Sequence, residues 1–148
     1  MINLSELLKA IKPFVMGWAG PKFYPLQTPL TSTAWDGDAR STTAKTLIDL
    51  SAVFAGVPAG IKAILVGVTL RDSGSAASTG GCFLILSPNN VANSGAAFRC
   101  SGLANDANGG GGDVIPCDSN GDIYYQTNAS GGASATLDVW LEIMGYWL

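Results

Sequence analysis

Paired carboxylates are the first chemistry the chain offers. Asp138 and Glu142 stand four residues apart, and Asp36 and Asp38 flank Gly37. Two carboxyl groups cleave a glycosidic bond when one protonates the leaving oxygen and the other activates water or attacks. In an extended strand, positions four apart lie about 13 Å from one another, beyond the ~6.5–9.5 Å that an inverting pair spans. Asp36-Gly37-Asp38 reads as a turn, where Asp and Gly serve chain reversal without a catalytic role. The chain has no histidine. That removes Ser-His-Asp and Cys-His catalysis and the commonest transition-metal ligand. We therefore expect no enzyme, no catalytic residue, no metal and no cofactor.

Three further groups invite a chemical reading. Asp118, Asn120 and Asp122 offer clustered oxygens, and calcium takes six to eight of them. Their spacing departs from an EF-hand loop and lacks a distal bidentate Glu, so a hairpin turn at Asn120-Gly121 is the better account. The run Asn108-Gly-Gly-Gly-Gly112 has no Lys-Ser or Lys-Thr after it and is not a phosphate loop. Its composition predicts a surface loop without ordering force of its own. Cys82, Cys100 and Cys117 are an odd set at wide spacing. Reduced thiols acting as small buried hydrophobes are expected, although one pair could bridge.

The aromatic residues remain. Trp140, Tyr146 and Trp147, with Trp35 and Tyr124, could stack on sugar rings or cover a subunit interface. The strand that carries them is the best-defined element in the sequence. From Thr136 the chain alternates, with Leu137, Val139, Leu141 and Ile143 on one face. Asp138, Trp140, Glu142, Met144 and Tyr146 fall on the other. A period of two marks a strand with one face in a core. Trp147 shares the register of Ile143 and is expected in the core, while Trp140, Met144 and Tyr146 are expected at a subunit interface.

The other elements follow from similar patterns. Ile61–Asp72 is a long strand with Ile64, Val66, Val68 and Leu70 on one face. Shorter strands are expected at Lys45–Leu50, Cys82–Leu86, Ala97–Ser101, Asp113–Cys117 and Ile123–Asn128, with Gly-, Asn- and Pro-rich turns between them. No helix is long enough for a parallel crossover. The expected fold is all-β, an antiparallel jelly-roll-like β-sandwich over residues 31–148.

Residues 1–30 read differently. Asn3 and Glu6 form a capping-box pattern, and Leu4, Leu7, Leu8 and Ile11 make one apolar stripe of a helix that Pro13 ends. So short a helix must dock, on its own domain or on a neighbour. Pro13, Pro21, Pro25 and Pro29 follow, with Phe14, Trp18, Phe23 and Tyr24 between them. Such spacing forbids a helix or a central strand and predicts an extended arm with aromatic anchors.

Composition bounds the partners. The 148 residues carry 8 Lys and Arg against 11 Asp and Glu, and charged residues are only 13% of the chain. No basic patch exists for nucleic acid, and no apolar run is long enough for a membrane helix. A signal peptide is not expected, because Glu6, Lys9 and Lys12 interrupt the N-terminal segment. Low charge suggests surface covered by partner subunits, since interface cores are depleted in charge.

The stretches AWDGDARSTTAKTLIDLSAVF, VPAGIKAILVGVTLRDSGS, CDSNGDIYYQTNASG and LDVWLEIMGYW resemble small β-sandwich domains of tailed-bacteriophage structural proteins, both tail-fibre-like and capsid-decorating. That resemblance implies a non-enzymatic jelly-roll component of the virion, usually a homotrimer, whose N-terminal segment attaches it to other virion proteins. It implies assembly in the host cytoplasm and offers no catalytic residue to transfer. The short chain suits a compact decoration or fibre tip rather than a shaft. The alternative is a carbohydrate-binding receptor-recognition module, with glycan as partner.

Overall fold

The computed structural model of the protein describes residues 20–32, 44–72, 82–104, 106–128 and 137–148. The helix expected from Asn3 to Lys12, with Leu4, Leu7, Leu8 and Ile11, lies outside these residues, as do Phe14, Trp18, Trp35, Asp36 and Asp38.

Alternating apolar residues build the two longest inner strands, and the rest of the chain pairs onto them. In chain order the elements are β1 (Phe23–Ser32), β2 (Thr46–Ile48), α1 (Leu50–Val53), β3 (Ala63–Asp72), β4 (Phe83–Ser87), β5 (Ala96–Arg99), β6 (Asn108–Pro116), β7 (Ile123–Asn128) and β8 (Leu137–Trp147). They form two four-stranded sheets, one in the order β1-β8-β3-β6 and the other β2-β7-β4-β5. Every neighbouring pair is antiparallel. The first strand pairs with the last, the second with the seventh, the third with the sixth and the fourth with the fifth. The protein is therefore all-β over its described residues apart from the single turn of α1.

The core lies between the sheets. Ile64, Val66, Val68 and Leu70 of β3 and Leu137, Val139, Leu141 and Ile143 of β8 are all buried, as their alternation predicts. They meet Leu84 and Leu86 of β4, Phe98 of β5 and Ile123 and Tyr125 of β7 in one cluster. Each such aliphatic side chain contributes about 1.5–3 kcal/mol when fully buried. The strand expected at Lys45–Leu50 is shorter than its pattern, because Asp49 caps α1. Its carboxylate accepts from the Ser51 hydroxyl (2.8 Å) and the Ala52 N–H (3.0 Å). Cys82 and Cys100 are buried, not joined by a disulfide, and directly opposite one another, with their sulfurs 2.9 Å apart.

Three expectations are corrected. The β structure begins before Thr31: Phe23 and Tyr24 belong to β1, which pairs with β8 from Phe23↔Trp147 to Ser32↔Leu141. Pro25 and Pro29 are tolerated because β1 is an edge strand, and its register shifts between Pro25 and Leu30. Asn108–Gly112 is not a loop but the first half of β6, paired with β3 from Arg71↔Asn108 to Gly67↔Gly112. Two of its glycines, Gly109 and Gly110, answer close approach. A Cβ on Gly109 would stand 2.5 Å from the Arg99 carbonyl oxygen, and one on Gly110, whose φ is +130°, would stand 2.0 Å from that of Val68. Asn120-Gly121 does not close a hairpin within one sheet, because β6 and β7 lie in different sheets. It turns a corner instead, and the Gly60 N–H donates to the Asn120 carbonyl at 2.9 Å.

Gly109→Ala and Gly110→Ala are each expected to lower unfolding stability by about 1–3 kcal/mol in urea titrations. Gly20→Ala, where an added Cβ meets nothing within 4 Å, is the control and should change it by less than about 0.5 kcal/mol. Equal effects at all three positions would contradict the packing account of β6.

Candidate functional site

The outer face of the β1-β8-β3-β6 sheet carries the aromatic and charged residues that the sequence singles out. Its residues form rows across the strands. At one end Asp138, Arg71 and Asn108 stand side by side, followed by Trp140, Thr69 and Gly110. The next row is Thr31, Glu142, Gly67 and Gly112. Beyond it the chemistry changes. Pro25, Gly145, Leu65 and Val114 form one apolar row, and Phe23, Trp147, Ala63 and Pro116 form the last.

A β-bulge divides the two regimes. Ile143 pairs with Val66 and Gly145 with the adjacent Leu65, so Met144 is the extra residue. Its terminal methyl lies 3.6 Å from the Cβ position of Gly67 and 4.0 Å from that of Gly112. The bulge reverses the alternation that follows, which corrects two sequence readings. Tyr146 stands opposite the buried Ile64 and packs on the core, so it does not share a face with Trp140. Trp147 stands opposite Ala63 on the outer face, half-buried, and is not a core residue. Among the expected interface residues, Trp140 and Met144 are thus together on the outer face and Tyr146 is apart.

Phe23 and Tyr24, expected as anchors on a foreign surface, are instead matched to the end of β8. The Phe23 and Trp147 ring centroids are 4.4 Å apart on the outer side. The Phe23 ring covers Gly145, where any Cβ would come within 2.5 Å of it. Tyr24 stacks on Tyr146 at 5.7 Å, and the Lys22 ammonium lies 5.0 Å from the Tyr24 ring centroid.

The polar end is organised by Arg71, which the sequence reading missed. Its Nε and Nη2 donate to one Asp138 carboxylate oxygen at 3.0 and 2.8 Å. Both side chains are about a third exposed, 38% and 35%, so the pair adds at most about 1 kcal/mol to stability. The Arg71 guanidinium also lies 5.3 Å from the centroid of the Trp140 ring. A cleft of about 400 Å³ opens beside them, lined by Trp140, Arg71, Glu142, Asn108, Thr69 and Thr31. Arg71 could have been found only by aligning β3 against β8, because nothing local marks it.

The oxygens of the calcium reading serve their own corner. The Asp118 carboxylate accepts from the N–H groups of Asn120 (2.8 Å) and Asp122 (3.0 Å), and that of Asp122 accepts from Leu50 N–H (3.1 Å). No group of three or more metal-ligating side chains occurs among the described residues. Burial is the main cause that raises the Asp122 carboxyl, and the Asp49 and Asp118 charges add to it against the Leu50 N–H. No helix among the described residues is long and apolar enough to cross a membrane. No family model matches the chain, and no curated protein matches it.

Burial pushes the neighbouring Cys117 thiol up to about 12, with the Asp118 and Asp122 charges adding. A thiol pKa raised by folding contributes stability that is complete below the ordinary thiol value and is lost as the pH rises towards the folded one. Cys117→Ala should therefore flatten the alkaline fall in stability. Iodoacetamide at pH 8 should label Cys117 far more slowly in the native protein than in urea; labelling at the rate of a free thiol would contradict this environment.

Proposed function

We propose that the protein is a non-enzymatic structural component of a tailed-bacteriophage virion that self-associates and decorates or caps the particle. The observation that carries self-association is the apolar end of the outer face. Its two rows contain no charged or hydrogen-bonding side chain except the Trp147 indole, and Val114 is 45% and Phe23 36% exposed. Contiguous apolar surface of this kind, rimmed by polar residues, suits contact with another protein. A second copy of the chain is the simplest partner, and the resemblance to phage structural domains favours a homotrimer.

The strand order supports a jelly-roll reading of the fold. Pairing the first strand with the last, the second with the seventh and so on inward describes one long antiparallel hairpin rolled into two sheets, the arrangement of nested Greek keys. Attachment to other virion proteins is assigned to residues 1–19, since Phe23 and Tyr24 are engaged by β8. The non-enzymatic reading rests on a sequence without histidine. Nucleic acid is not a partner in this reading, because the net charge is −3 and the basic residues are scattered.

Sedimentation at micromolar concentration is expected to give an oligomer, with Val114→Glu shifting it towards monomer while leaving the thermal transition in place. A wild-type chain that sediments only as a monomer would reject self-association. Removing residues 1–19 should abolish binding to particles and spare the fold; unchanged binding would reject their anchoring role. Removing residues 1–32 takes β1 away as well, and the loss of the pairing along the outer edge of β8 should then cost the cooperative transition.

A further inference from the structure

We propose that the polar end of the outer face is a binding site for a neutral pyranose saccharide. It goes beyond the structural role above and does not rest on self-association, because it uses the rows on the other side of Met144. The cleft has a volume of about 400 Å³, within the ~300–1,000 Å³ range of small-molecule sites. Its floor and walls come from strands rather than loops: Trp140 and Glu142 from β8, Thr69 and Arg71 from β3, Thr31 from β1 and Asn108 from β6. Groups on paired strands are held at fixed spacing, which is what recognition of a rigid ring requires.

The residue types match a sugar. A pyranose presents an apolar C–H face and a rim of hydroxyls that both donate and accept. Trp140 supplies a large half-buried aromatic surface, and the Arg71 guanidinium 5.3 Å from its centroid fixes the ring in place. Glu142 is exposed and accepts, Asn108 donates and accepts, and the Thr31 and Thr69 hydroxyls do both.

Charge selects among ligands. Arg71 gives two hydrogen bonds to Asp138, so those two charges cancel. Glu142 remains, and the cleft is left with one net negative charge. Sialylated, sulfated or phosphorylated sugars would meet that charge, and among the described residues lining the cleft no second cation offsets it.

The test is titration of the full chain with a panel of methyl hexopyranosides and neutral oligosaccharides, read by the indole N–H resonance of Trp140. At least one neutral sugar should shift that resonance saturably, with a dissociation constant of about 1–50 mM. Trp140→Ala should weaken binding at least about tenfold, and Glu142→Gln should weaken it several-fold. Glu142 is exposed, so the second variant folds and decides the matter if the first does not. No shift with any neutral sugar at the highest concentration would overturn the proposal. So would undiminished binding by Glu142→Gln, or a preference for sialylated glycans or tetramethylammonium. The resonance reports on the cleft in monomer and oligomer alike, so failure here and failure of self-association are separate results.

Discussion

Strand β8 is hydrogen-bonded along both edges, to β1 and to β3, and this double pairing sets the geometry of everything else. A strand held on both sides cannot choose its register freely. A slip by one residue would turn Leu137, Val139, Leu141 and Ile143 out of the core and Asp138 and Glu142 into it. The four aliphatic residues of β3 impose the same condition from the other side, since Val66, Val68 and Leu70 face Ile143, Leu141 and Val139 directly. Register is therefore fixed by burial, and the outer rows follow without further instruction. Arg71 meets Asp138 and Thr69 meets Trp140 because their inner neighbours are pinned.

The Met144 bulge changes what the same strand can present. One extra residue lets β8 carry aromatic side chains on both faces at its end. Tyr146 turns inward to Tyr24, and Trp147 turns outward to Phe23. Without it Tyr146 would fall on the outer face with Trp140 and Glu142, and Trp147 would turn to the core side, opposite Lys62. Gly145 completes the arrangement, because the Phe23 ring occupies the space that a side chain there would need. The change from polar to apolar surface occurs at the same place, so one local irregularity separates two kinds of outer face.

What the sequence revealed, and what it hid, follow from the range of the forces involved. The inner faces of β3 and β8 were legible because alternation is a local signal and burial enforces it. The all-β class was legible from the same patterns and from turn residues. The glycine run 108–112 misled because its order is imposed from outside: β3 provides the hydrogen-bonding template, and the backbone at Arg99 and Val68 comes too near Gly109 and Gly110 for a side chain. The proline-rich stretch misled for a related reason. Proline excludes a central strand but not an edge one, and only the position of β1 in the sheet tells the two apart. The bulge has no local mark at all, so the faces of Tyr146 and Trp147 were assigned the wrong way round. Arg71 escaped notice because its partners, Asp138 and Trp140, are 67 positions or more away in the chain.

The two ends of the outer face place different demands on one surface, and the charge arrangement reconciles them. Apolar rows favour contact between copies only if that contact does not bring like charges together at its rim. Arg71 and Asp138 neutralise one another, and among the described residues of the outer rows Glu142 alone has an uncompensated charge. Repulsion between copies meeting at the apolar rows would then be small and screened, because exposed charges separated by more than about 8 Å interact weakly at physiological salt. The same pairing leaves the cleft with hydrogen-bonding groups and a single carboxylate charge, that of Glu142. That condition suits a ligand with many hydroxyls and no charge, and under the proposed self-association it would let the polar rows remain open to solvent while the apolar rows are covered.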